Sequence, residues 1–189
     1  MWPHGKRWVY SITYDEGCAA LMDHAAPIHR ELGIPGHVAL VASQVGVPRS
    51  VPGSSYDGMM ILSREQIDGL CSGGWGVSCH SLTHAAITEE NADEEVVRSR
   101  LVLEGALGRE VLLFCVPGNN DSYPASAAVA ARAGYLGVVT IYDKPFSATD
   151  HEAITANIPV MGIVKGGRVQ PAHPEDIAGD KAMRIKPKG

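Results

Sequence analysis

The sequence predicts an α/β protein assembled from parallel βα units. Three observations point there. Short apolar runs of strand length alternate with segments of helix formers. The runs end repeatedly on polar, chemically competent residues, as strands of parallel sheets do at their carboxyl ends. With 189 residues, the chain has the length of a single domain with one sizeable core, expected to span 1–189.

The elements follow in order. Residues 8–14 alternate as a strand, with Trp8, Tyr10, Ile12 and Tyr14 on one face. Residues 18–32 read as a helix in which Pro27 imposes a kink or break. Gly33-Ile34-Pro35-Gly36 is a turn and residues 37–42 a short buried strand. Residues 43–60 hold three glycines and two prolines, hence a long loop of the kind that carries function. Ser63-Arg64-Glu65-Gln66 has the capping-box pattern and starts a helix that runs to about Cys71. Residues 75–79 form a third strand, 88–107 a long helix stopped by Gly108, and 111–116 an apolar strand buried on both faces. A helix over 123–133 and a strand over 136–141 follow; 158–164 is a candidate sixth strand and 165–189 an irregular tail.

Composition excludes several classes. The net charge of −5 argues against a nucleic-acid footprint, which requires a basic face. The basic tail (Lys181, Arg184, Lys186, Lys188) reads as a frayed terminus. No apolar run approaches the roughly 20 residues that span a bilayer, and residues 1–7 do not have the character of a signal peptide. The four cysteines show no CxxC and no disulfide framework, so a reduced, cytoplasmic chain is expected, with Cys79 and Cys115 as core thiols.

The strand ends carry the chemistry. They read Asp15-Glu16-Gly17, then His80-Ser81-Leu82-Thr83-His84, then Pro117-Gly118-Asn119-Asn120-Asp121, then Tyr142-Asp143. Spacing four would place His80 and His84 on one face of a helical turn. Two histidines and a carboxylate form a zinc set that leaves a position for water, and the same set suits ferrous iron or manganese. The remaining carboxylate of the acidic pair is then free to act as a base.

The order "TYDEG", "GWGVSCHSLTH", "CVPGN", each after a strand, resembles the polysaccharide deacetylase family, carbohydrate esterase family four, over roughly residues 8–143. The resemblance implies a distorted (β/α) barrel with fewer than eight parallel strands. It implies Asp15 as catalytic base and Glu16, His80 and His84 as ligands of a divalent metal. Zn2+ is the first expectation, with Fe2+, Mn2+, Co2+ and Ni2+ as alternatives. It places the oxyanion against a backbone N–H near Gly118. The implied reaction is N-deacetylation of a carbohydrate or small biosynthetic intermediate, with no nucleic-acid or membrane partner and with homo-oligomerisation left open. The same fold running another reaction, and a non-catalytic binding protein, are the competing expectations.

Three positions depart from the family pattern. Glu16 stands where the family has Asp, with about 1.5 Å more reach. Cys115 stands where the family has an arginine that pairs with the base, so another cation would have to supply that charge. The family's late histidine, its general acid, has no counterpart; His151 and His173 read as surface residues.

Overall fold

The structure, a computed structural model, describes residues 12–118, 123–140, 160–164 and 168–171. Seven strands form one sheet in sequential order: β1 (Thr13–Glu16), β2 (His37–Leu40), β3 (Gly76–Cys79), β4 (Leu113–Cys115), β5 (Gly137–Thr140), β6 (Val160–Val164) and β7 (Arg168–Pro171). β1 through β6 pair in parallel, and β7 pairs antiparallel to β6. The class is the expected one, α/β with fewer than eight parallel strands. A strand also arises within the tail expected to be irregular.

The helices sit in the crossovers. α1 (Leu21–Leu32) links β1 to β2, and α2 (Arg64–Ser72) lies between β2 and β3. A π-helical turn (Asp93–Arg98) leading into α3 (Ser99–Leu107) precedes β4, and α4 (Tyr123–Arg132) precedes β5. α2 starts as the sequence predicts: the Gln66 N–H donates to Ser63 Oγ and the Ser63 N–H to Gln66 Oε1. α1 runs through Pro27 without a break. Pro27 and Asp23 are both exposed, so the Asp23 carbonyl that loses its helical donor to the proline lies on the solvent side of the helix. Of the first strand expected over 8–14, Thr13 and Tyr14 lie in β1, which runs on to Glu16, and residues 8–11 lie outside the described residues. So do residues 119–121, Tyr142, Asp143, His151, His173 and the basic tail.

Alternation along the strands separates two faces. Val38, Leu40, Phe114 and Val138 pack beneath the helices in the main core. Ala39, Cys115 and Val139 form a small separate cluster on the other face. Tyr14 belongs to the helix side, stacked on Trp75 at 5.7 Å. Its hydroxyl meets Nε2 of buried His29, whose Nδ1–H donates to the Ile34 carbonyl. Asp15, one residue on, therefore takes the opposite face, in register with Ala39.

That second face is concave. In a flat sheet β1 and β4 would lie about 14 Å apart, yet Cys115 Sγ is 3.8 Å from Asp15 Oδ1. The sheet must coil to bring them together, as parallel βα sheets do when they curl toward a barrel.

Candidate metal and catalytic site

The first turn of the site is made by Glu16 and Gly17, both with left-handed backbone (φ 71° and 77°). A Cβ on Gly17 would stand 2.5 Å from Leu40 Cδ2, so the position needs glycine twice over, for its φ and for its packing. Gly17→Ala is expected to destabilise the fold by about 2–4 kcal/mol, through left-handed strain plus overpacking. The urea midpoint measures it, and an unchanged midpoint would refute the requirement.

Beyond Gly17 the chain zips onto the end of the long loop. Leu62 N–H donates to the Gly17 carbonyl, and Ala19 N–H to that of Met60. The loop folds on itself as well, with Arg49 N–H bonded to the Met59 carbonyl and Gly58 N–H to that of Arg49. This double pairing delivers Arg49 to the acidic pair. Its Nη1 lies 2.9 Å from Glu16 Oε2, with the arginine side chain 2% exposed and the glutamate 13%. The approach is a charge contact without an aligned hydrogen bond, for Nε and Nη1 are buried with no hydrogen-bond acceptor.

His80 follows β3 and is buried. Its Nδ1–H donates to the Cys115 carbonyl at 2.9 Å, which fixes the tautomer and leaves the Nε2 lone pair free. Burial pushes its pKa down against the opposing pull of Asp15. His84 does not share a helical turn with His80, contrary to the expectation from spacing. Residues 81–88 form a loop, and Ser81 and His84 both have left-handed backbone (φ 68° and 71°). The rings nonetheless meet, with centroids 4.9 Å apart. His84 N–H donates to Ser81 Oγ, and its Nε2 is 3.4 Å from Glu16 Oε1. Burial, then the Arg49 charge, lowers the His84 pKa, so both imidazoles are neutral at pH 7, the form that ligates metal.

The loop is anchored by Glu95, which sequence reasoning missed. This buried carboxylate accepts from Leu82 N–H (3.1 Å), Thr83 N–H (3.0 Å) and Thr83 Oγ1–H (2.6 Å). The expected helix over 88–107 begins as the π-helical turn that contains Glu95. A single wide turn of this kind re-aims one side chain and recurs at functional sites.

Asp15 is the exposed member of the cluster and so can meet a substrate. Cys115 is buried, and burial, then the neighbouring Asp15 charge, pushes its pKa well above the ordinary range. It stays a thiol and donates weakly to Asp15 Oδ1. The core placement expected for Cys79 and Cys115 holds, since both are buried. Deeper on the concave face, His37 lies across Gly76, where a Cβ would be 2.4 Å from its Nδ1. His37 Nε2 and Ser78 Oγ are buried without a partner. Gly118 (φ 62°) stands on the loop three residues beyond Cys115. Two hollows of about 460 and 340 Å³ open at the other end of the strands, around Ile34 and α1, and share no residue with the site.

The donor set fits a divalent cation in chemistry: two neutral imidazoles, one with its tautomer fixed, and two carboxylates. Among the described residues, the tightest triple of donor atoms is Asp15, His80 and Cys115, all within 4.8 Å of one another. Glu16 is instead drawn toward Arg49.

Comparison with known proteins agrees with this architecture. IcaB from Ammonifex degensii superposes with a TM-score of 0.59 at 21% identity, over 91% of this chain and 72% of that one. The Streptococcus pyogenes deacetylase PplD, in complex with acetate, gives 0.60 at 17%, over 85% and 65%. A de-N-acetylase from Aggregatibacter actinomycetemcomitans gives 0.60 at 13%, over 82% and 68%. The chain thus spans about two thirds to three quarters of these relatives, and at such identities the likeness establishes the fold. No curated protein matches the sequence. The polysaccharide deacetylase family model matches residues 4–138, from ahead of β1 into β5 and so across the ends of β1, β3 and β4 that carry the site. The chain belongs to the polysaccharide deacetylase family, a family of hydrolytic enzymes.

Proposed function

We propose that this protein is a metal-dependent amide hydrolase that removes the N-acetyl group from a sugar or a small biosynthetic intermediate. The observation that carries the reading is convergence. Glu16 and His84 approach within 3.4 Å, and the His80 and His84 rings within 4.9 Å, from two strands that β2 separates. Glu16, His80 and His84 would hold a divalent cation, Zn2+ first among the alternatives, which when bound supplies an acidified water and a polarised carbonyl.

The protein's own groups do the rest. Asp15, exposed beside this set, takes the proton of the attacking water. A backbone N–H near Gly118 faces the developing oxyanion. The substrate stays a carbohydrate or small molecule; among the described residues no helix is long and apolar enough to cross a membrane. A cytoplasmic setting belongs to the same reading, supported by four free cysteines.

The test joins metal content to product. Purified protein is expected to carry one metal, to lose it in both His80→Ala and His84→Ala, and to release acetate from some member of a panel of N-acetyl sugars. Unchanged metal in both variants would sink the site, and bound metal with no acetate from any sugar would sink the reaction. A second reading rests on the Asp15, His80 and Cys115 triple. There Cys115 is a ligand, and Cys115→Ser loses the metal; in the first reading that variant keeps it.

A further inference from the structure

Arg49 poses a question that the reaction does not answer. It brings a full positive charge, 2% exposed, to within 2.9 Å of a carboxylate read as a metal ligand. A cation there opposes a dication. Its surroundings show that the placement is built. The bridge between Pro48 and Met60 and the backbone bonds on either side of Arg49 hold the loop as a two-stranded turn. Glu16 divides its oxygens, Oε2 to Arg49 and Oε1 to His84. An aspartate, one methylene shorter, would have less reach to span the two. Arg49 does not replace the β4 arginine of the family pattern in place, since it meets Glu16 and not Asp15.

We propose that Arg49 is a counter-cation for Glu16: it holds the carboxylate in the metal-free site and weakens metal binding by sharing that ligand. The inference rests on Glu16 being a ligand, as in the proposed function. Two effects follow from the shared carboxylate. Without metal, a largely buried Glu16 has a partner and does not stand uncompensated. With metal, Glu16 donates less charge to the cation, because one oxygen already answers the guanidinium. Arg49 is a positioning residue; nothing places it on the substrate.

The experiment is a Zn2+ competition titration against a chromophoric chelator, with thermal unfolding to confirm that each variant folds. Arg49→Met is expected to bind Zn2+ about tenfold more tightly than the unaltered protein, since a charge opposing the metal is gone. Arg49→Lys keeps the charge and is expected to stay within about threefold. A residue needed only for packing would instead weaken binding when changed. If the Met variant does not fold, Arg49→Gln, neutral and polar, carries the same expectation. His84→Ala serves as the control, because His80 belongs to both donor sets and His84 only to the one with Glu16. If it loses Zn2+ while the neutral Arg49 variants bind no more tightly than the unaltered protein, the counter-cation role is overturned and the ligand reading stands. If His84→Ala binds Zn2+ as before, the ligand reading has failed and the inference falls with it.

Discussion

Asp15→Asn is expected to lower kcat for acetate release by about a thousandfold while metal content stays at one per chain. Asn has the shape of Asp and still accepts a weak bond from the Cys115 thiol, whose sulfur lies 3.8 Å from Asp15 Oδ1. It cannot take up a proton. The loss should therefore fall on kcat and leave KM nearly unchanged, the mark of an interaction made in the transition state. Metal content gives the variant a second use. If Asp15 is a ligand beside His80 and Cys115, the metal leaves with the carboxylate. Retained turnover would refute the base; lost metal would move the assignment to the other donor set.

Glu95→Ala carries the largest structural effect. It removes one carboxylate that receives three donors, two of them backbone N–H groups of Leu82 and Thr83. The Leu82 N–H is left without an acceptor in a buried place, the exposed Thr83 loses both of its bonds, and bonds to a charged acceptor are among the stronger ones. The cost, from three lost bonds to a charged acceptor, is about 3–5 kcal/mol. The functional consequence reaches His84, because Thr83 is its neighbour and the Ser81 to His84 turn depends on the same loop. Urea unfolding measures the stability and metal titration the ligand. Glu95→Gln, with one good acceptor oxygen in the same place, is expected to fall between. A stability loss below about 1 kcal/mol in the Ala variant would show that the loop is held by other contacts.

What the sequence made legible was local or periodic. The Ser63 and Gln66 capping box involves residues three apart, and it forms as read. The order of strands and helices follows from runs of apolar residues, and it too holds. His80 and His84 were legible as a pair, but the backbone between them was not. Spacing alone cannot tell a helical turn from a loop, and here Ser81 and His84 take left-handed φ without being glycine.

Arg49 and Glu95 were hidden for a different reason. Arg49 sits among prolines and glycines, where a basic residue reads as solvated surface. Its partner Glu16 is 33 positions away, reached only because residues 47–49 fold back on 59–61. Glu95 stands in a run of acidic residues, Glu89, Glu90, Asp93 and Glu94 before it, and only a π-helical turn singles it out. Neither pairing is visible without the fold that makes it.

Glu16, Ser81 and His84 are the three non-glycine residues with left-handed backbone among those described. Each such residue costs on the order of 1 kcal/mol or more relative to an ordinary conformation. All three fall on the two segments that hold the acidic and histidine side chains. Glycine would relax each position and would erase the carboxylate, hydroxyl or imidazole it presents. The rest of the molecule must supply the stability that keeps these turns in place. Loss of packing far away, under α1 or α3, is thus expected to show first as misplaced acidic and histidine side chains, before the protein as a whole unfolds.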